Sequence, residues 1–194
     1  YSNFMLPIIS FFLIYFLVIY ENQQISYKSF ISLLPLLIYT LIFQPSPQFP
    51  DSLGVYNNII AYEYEGGDLE SISKGLAHGN HNFITYIGLL SKIYLNNIIV
   101  IFSIINFIAI HLISIIVINF FKKQNIKISY LILILSPLPW VLILTCAGMR
   151  DVIAFSLVIF LFYIIEKIYN KFSIIVLLQF ILLFNCIDAV RGPI

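Results

Sequence analysis

Between Ile98 and Phe121 the sequence contains no Asp, Glu, Lys or Arg. An α-helix needs about 20 apolar residues, each rising 1.5 Å, to cross the hydrocarbon of a bilayer. This run meets that length, and a helix built from it has no polar stripe to turn toward water. The segment alone therefore restricts the chain to folds that hide apolar surface on every side. Composition extends the restriction to the whole chain. Of 194 residues, 61% are hydrophobic and only 10% charged, with a mean hydropathy of +1.00. An ordinary soluble domain has about one quarter of its residues charged, and this chain lacks the polar surface to coat a soluble particle. A cytosolic enzyme, a nucleic-acid module and a disordered tail are excluded. The fold class expected is an all-α polytopic membrane protein.

Six segments have the composition of spans. They are Phe4–Tyr20, with Pro7 in its first turn; Phe30–Phe43, extended to full length by Ile25–Ser29; Ile98–Phe121; Ile128–Thr145, interrupted by Ser136-Pro137-Leu138-Pro139; Val152–Ile165; and Phe172–Val190. None shows a polar face repeating at helical spacing. Between the second and third spans the character changes. Pro45, Pro47 and Pro50 cannot continue a helix. Asp51, Glu63, Glu65, Asp68, Glu70, Lys74, His78 and His81 follow in a solvated loop. Its apolar tail, Phe83–Leu95, is too short to span and is read as an interfacial helix. The chain is thus a single membrane domain over 1–194, with an extracytoplasmic loop over 44–95. Starting at Tyr1 and stopping at Ile194 after Arg-Gly-Pro, it reads as a fragment of a longer membrane protein.

Lysine placement sets the expected orientation. Lys122, Lys123 and Lys127 share one short loop, Lys167 and Lys171 share another, and Lys28 flanks a third. The positive-inside rule assigns these to the cytoplasm. The loop 44–95 then lies outside. So do Arg150-Asp151, opening the fifth span, and Asp188 with Arg191, closing the sixth. If Phe83–Leu95 crosses instead, the first two spans invert and the later four keep their orientation.

Each polar constellation has a structural reading and a functional one. Asp151 can cap a helix N-terminus while Arg150 reaches the headgroups; alternatively Arg150 binds phosphate at the mouth of a cavity, since a guanidinium fork is permanently charged and bidentate. Asp188 and Arg191, three apart, either pair at a helix end or form a second phosphate-binding arginine oriented by its aspartate. Asp51, Tyr56, Asn57, Asn58 and Tyr62 suit either a solvated helix or sugar hydroxyls. His78 and His81 lack a third ligand nearby, so no metal is expected, whereas His81 can serve as a general base. His111, mid-span with Asn106 and Ser114, is either a functional intramembrane residue or a neutral imidazole bonded to a neighbouring helix. Cys146 and Cys186 form neither a disulfide framework nor a metal site by spacing. No nucleotide-binding or hydrolase motif occurs, and a net charge of +1 leaves no footprint for nucleic acid.

The order of these features resembles the EpsG/Wzy-type polysaccharide polymerases of bacterial exopolysaccharide, capsule and O-antigen assembly. An apolar pair precedes the stretch Asp51 to Tyr56. An interfacial helix and a Ser-Pro-broken span lead into Gly148-Met149-Arg150-Asp151, and a later span ends at Arg191. The resemblance implies a GT-C-like architecture in the bacterial cytoplasmic membrane. It implies an enzyme joining oligosaccharide repeat units carried on undecaprenyl pyrophosphate at the outer face. Arg150, Arg191, Tyr56 and Asp188 would then bind substrate, and Asp51, Asp151 and His81 are the candidate bases. No cofactor or metal is implied. The expected partners are the lipid-linked oligosaccharide, membrane lipid and other polysaccharide-assembly proteins. A flippase for the same substrate, an O-antigen ligase and a non-catalytic membrane subunit are the competing readings.

Overall fold

The computed structural model describes residues 2–43, 98–124, 150–170 and 172–191. These form five α-helices: α1 (Ser2–Glu21), α2 (Gln23–Phe43), α3 (Ile98–Lys123), α4 (Arg150–Asn170) and α5 (Ile174–Arg191). Five of the six apolar segments of the sequence thus carry helices. The sixth, Ile128–Thr145, lies outside the described residues, as do the loop 44–95 and its apolar tail Phe83–Leu95.

Helices α1, α5, α4 and α3 pack in a ring, each against the next, and α3 closes it on α1. Helix α2 stands outside the ring and packs along α3. The core is built from one stripe of each ring helix. On α1 the stripe is Ile8, Phe11, Ile14, Tyr15 and Val18; on α3 it includes Ala109, Leu112 and Ile115. Helix α4 contributes Ile153, Leu157, Phe160 and Ile164, and α5 contributes Val176, Leu183 and Cys186. These spacings of three and four residues place the side chains on one helical face.

The opposite faces are just as apolar. Phe16 is 61% exposed while its neighbours Ile14 and Val18 are fully buried. Phe155, Phe162, Ile181 and Phe184 likewise point away from the core. A monomer in water rarely leaves so much contiguous apolar surface uncovered; hydrocarbon is its natural solvent. Two stretches, Ile104–Lys123 and Val152–Asn170, are long and apolar enough to cross a membrane. The bent pair α1–α2 makes a third if taken as one broken span, and the apolar part of α5, Ile174–Ile187, is shorter. The described residues therefore suit a helical membrane protein.

Two corners fix the helix order. The axis turns by 113° between α1 and α2, at Asn22. The Asn22 backbone N–H donates to the carbonyls of Val18 and Ile19, each at 3.1 Å, and its side-chain amide donates to Val18 at 3.0 Å. The Ser26 N–H returns to the Asn22 carbonyl at 2.9 Å. One residue therefore satisfies the end of one helix and the start of the next. Between α4 and α5, Ser173 is the N-cap: its hydroxyl accepts the Val176 N–H at 3.4 Å and its carbonyl the Leu177 N–H at 3.1 Å.

The bend is held by His111 of α3. Its Nε2–H donates to the Ser26 carbonyl of α2 at 3.0 Å, since a carbonyl can only accept. In the neutral ring, Nδ1 then accepts the Tyr15 hydroxyl of α1 at 2.7 Å. Phe30 meets the imidazole edge-on at 5.6 Å and Phe107 stacks on it at 6.3 Å. Of the two readings of His111, the structure contains the imidazole bonded to neighbouring helices. Tyr15→Phe leaves one acceptor unpaired and is expected to lower stability by about 1 kcal/mol. His111→Ala strands both partners and opens a cavity, so about 2–3 kcal/mol is expected. Equal costs in detergent unfolding of the full-length protein would show that His111 does not bridge the two helices.

Candidate functional site

The residues singled out by the sequence fall into two groups. Asp51, Tyr56 and His81 lie outside the described residues, as do His78 and Cys146. Arg150 and Asp151 are the first two residues of α4, while Asp188 and Arg191 lie in the last turn of α5. Asp151 thus stands inside the helix rather than at the cap position, a difference of one residue at a boundary.

Helix directions decide what these ends have in common. Lys167, near the end of α4, contacts Gln179, near the start of α5, so the two helices run antiparallel. Cys186 of α5 reaches the Pro7 carbonyl of α1 at 3.4 Å. Cys186 is buried there as a free thiol. The end of α5 therefore lies beside the start of α1. The start of α4 and the end of α5 share one end of the ring. Counting from the Lys167–Gln179 contact at 1.5 Å per residue, Arg150 and Arg191 differ in level by about 7 Å.

The other end carries a connected polar network that the sequence reading did not anticipate. Glu21 closes α1. Its Oε2 accepts the Tyr163 hydroxyl at 3.0 Å, the Gln179 amide at 3.3 Å and the Lys167 ammonium. Lys167 also sits over the Tyr163 ring, 4.7 Å from its centre. The Asn22 amide donates to the Tyr163 oxygen at 3.2 Å. One carboxylate thus joins α1, α4 and α5, and Asn22 ties the α2 corner to them. Alongside, Lys123 of α3 pairs with Glu166 of α4 at 2.7 Å. Two clefts flank the network. One of about 320 Å³ is lined by Glu21, Lys123, Lys167, Asn170 and Ser173 among others; the second, of about 530 Å³, lies between the α1–α2 corner and the last turn of α3.

A polar face also runs inside the bundle. Ser26, Ser29 and Ser32 are buried at three-residue spacing on α2, and Asn106, His111 and Ser114 are buried on α3. Ser32 and Ser114 hydrogen-bond the carbonyl four residues earlier, at 3.0 and 2.9 Å. Among the described residues no group of three His, Cys, Asp or Glu is placed to hold a metal ion.

Comparisons with protein families, with curated proteins and with solved structures return no match for this chain.

The Glu21–Lys167 pair is mostly shielded, with side-chain exposures of 24% and 21%, whereas Lys123 and Glu166 are 43% and 30% exposed. Solvent screening weakens the second pair more. A double-mutant cycle with Glu21→Ala and Lys167→Ala should give a coupling of about 1–2 kcal/mol. The same cycle on Lys123 and Glu166 should give roughly 0.5 kcal/mol. Additivity at Glu21 and Lys167 would remove that carboxylate as the tie between helices.

Proposed function

We propose that the chain is part of a membrane polymerase for polysaccharide. It joins oligosaccharide repeat units carried on undecaprenyl pyrophosphate at the outer face of the bacterial cytoplasmic membrane. The observation that carries this reading is that α4 begins at Arg150 and the antiparallel α5 ends at Arg191. Two permanently charged residues, far apart in sequence, therefore belong to one end of the ring. The lysines at the other end, Lys122, Lys123 and Lys167, support a cytoplasmic assignment there. Arg150 and Arg191 then belong to the outer leaflet.

The chemistry asks for this arrangement. An acceptor hydroxyl attacks the anomeric carbon of the donor sugar, and the bond from that carbon to the pyrophosphate oxygen breaks. The leaving group is an anion anchored at the membrane surface. Arginines at that level stabilise the charge as it develops, and a carboxylate or imidazole takes the proton from the attacking hydroxyl. Asp51, Asp151 and His81 are the bases proposed for that step, with Tyr56 and Asp188 proposed to hold substrate.

A transporter for the same lipid-linked oligosaccharide is the second reading. It is favoured by the 113° bend between α1 and α2, because broken helices often border the substrate sites of transporters.

Replacing Arg150 and Arg191 separately with Lys or Ala in the full-length protein distinguishes the two. A polymerase predicts loss of long glycan chains on a gel, by 100-fold or more for Ala, on the order of a lost oxyanion donor. Single lipid-linked repeats would still reach the outer face. Repeats retained inside would favour the transporter. Normal chains from both variants would remove the arginines from the site.

A further inference from the structure

The wider cleft beside the Glu21 network carries a lysine without a carboxylate partner among the described residues. Its lining includes Tyr20, Glu21, Gln23, Gln24, Asn119 and Lys122. Lys123 has Glu166 and Lys167 has Glu21. Lys122 has no carboxylate partner among the described residues. Glu21, the one acid of the lining, is already held by Lys167, Tyr163 and Gln179 through a single oxygen. The cleft therefore presents a cation, and the amide-bearing residues Gln23, Gln24 and Asn119 line it together with Lys122.

Its depth is set by the spans. The stretch Ile104–Lys123 is long enough to cross the hydrocarbon and ends one residue beyond Lys122. That places Lys122 at the level of lipid headgroups. Close in sequence to the lining residues Asn119 and Ile25, Phe120 is 49% exposed and Tyr27 69%. Basic pockets between helices at this level recognise anionic headgroups. We propose that this cleft binds a phosphate-bearing anion, and that in the membrane the anion is the headgroup of an anionic phospholipid, with its acyl chains against Phe120 and Tyr27. Lys122 supplies the charge, and the three amides orient the phosphate oxygens. The site lies at the opposite end from Arg150 and Arg191 and stands independently of the polymerase reading.

The test reads thermal unfolding of the full-length protein in lipid nanodiscs. Phosphatidylglycerol discs are compared with phosphatidylcholine discs, where the lipid's own ammonium neutralises its phosphate. The parent is expected to melt roughly 3 °C higher in phosphatidylglycerol. Lys122→Ala should abolish that difference, Lys122→Arg should keep it, and Lys28→Ala should leave it unchanged. The difference between the two lipids is taken within each variant, so a general loss of stability does not imitate loss of binding. Inorganic phosphate added to phosphatidylcholine discs separates the sources. If it reproduces the rise and needs Lys122, the anion site stands with free phosphate as its ligand. No Lys122-dependent rise with either probe, or an equal loss in Lys28→Ala, would overturn the proposal.

Discussion

Glu21 ends α1 with a carboxylate whose Oε2 accepts from Tyr163 and Lys167 of α4 and from Gln179 of α5. With its side chain only 24% exposed, this carboxylate has little access to water and needs donors from the protein to keep its charge. That requirement orders the ring. It brings the end of α4 and the start of α5 to the end of α1, and so makes α5 antiparallel to both. The position of the α4 and α5 termini at the far end follows from it. Apolar packing alone would not choose this register, because apolar side chains cover most of each helix and lipid competes for them equally.

The same rule acts deeper in the bundle. His111 spends both ring nitrogens on neighbours, one on the α2 backbone and one on Tyr15. The contact explains how a bend of 113° is held at a single residue. Asn22 satisfies the corner locally, and His111 secures the two arms across α3. Phe30 and Phe107 close around the imidazole and exclude competitors for its hydrogen bonds.

Much of the helical layout was legible because an intramembrane helix is specified by length and apolarity together. The segments beginning at Ile98, Val152 and Phe172 lie within two residues of observed helix starts. Helix α2 was harder. Lys28 and the serines near it reduce the hydropathy of its first turns, yet the helix runs from Gln23. The polar network was not legible. Glu21 and Glu166 are single acids at the ends of apolar runs, and Gln179 is one amide within another. What joins them is the direction of α5 against α1 and α4, a long-range relation that no local spacing encodes. Arg150 and Arg191 were legible as chemistry, by charge at span ends, before the helix directions gave them a common end. The roles proposed for Asp51, Tyr56 and His81 come from the resemblance in sequence.

The proposed function requires Arg150 and Arg191 to lie outside and the Glu21–Lys167 network to lie at the cytoplasmic side. Accessibility of single cysteines to a membrane-impermeant maleimide in intact cells measures this. The positions are 150, 191 and 123, in a full-length background with Cys146 and Cys186 replaced by serine. The expected result is labelling at 150 and 191 in intact cells, and labelling at 123 only after the membrane is opened. Labelling at 123 in intact cells, or protection of either 150 or 191 until the membrane is opened, would contradict it.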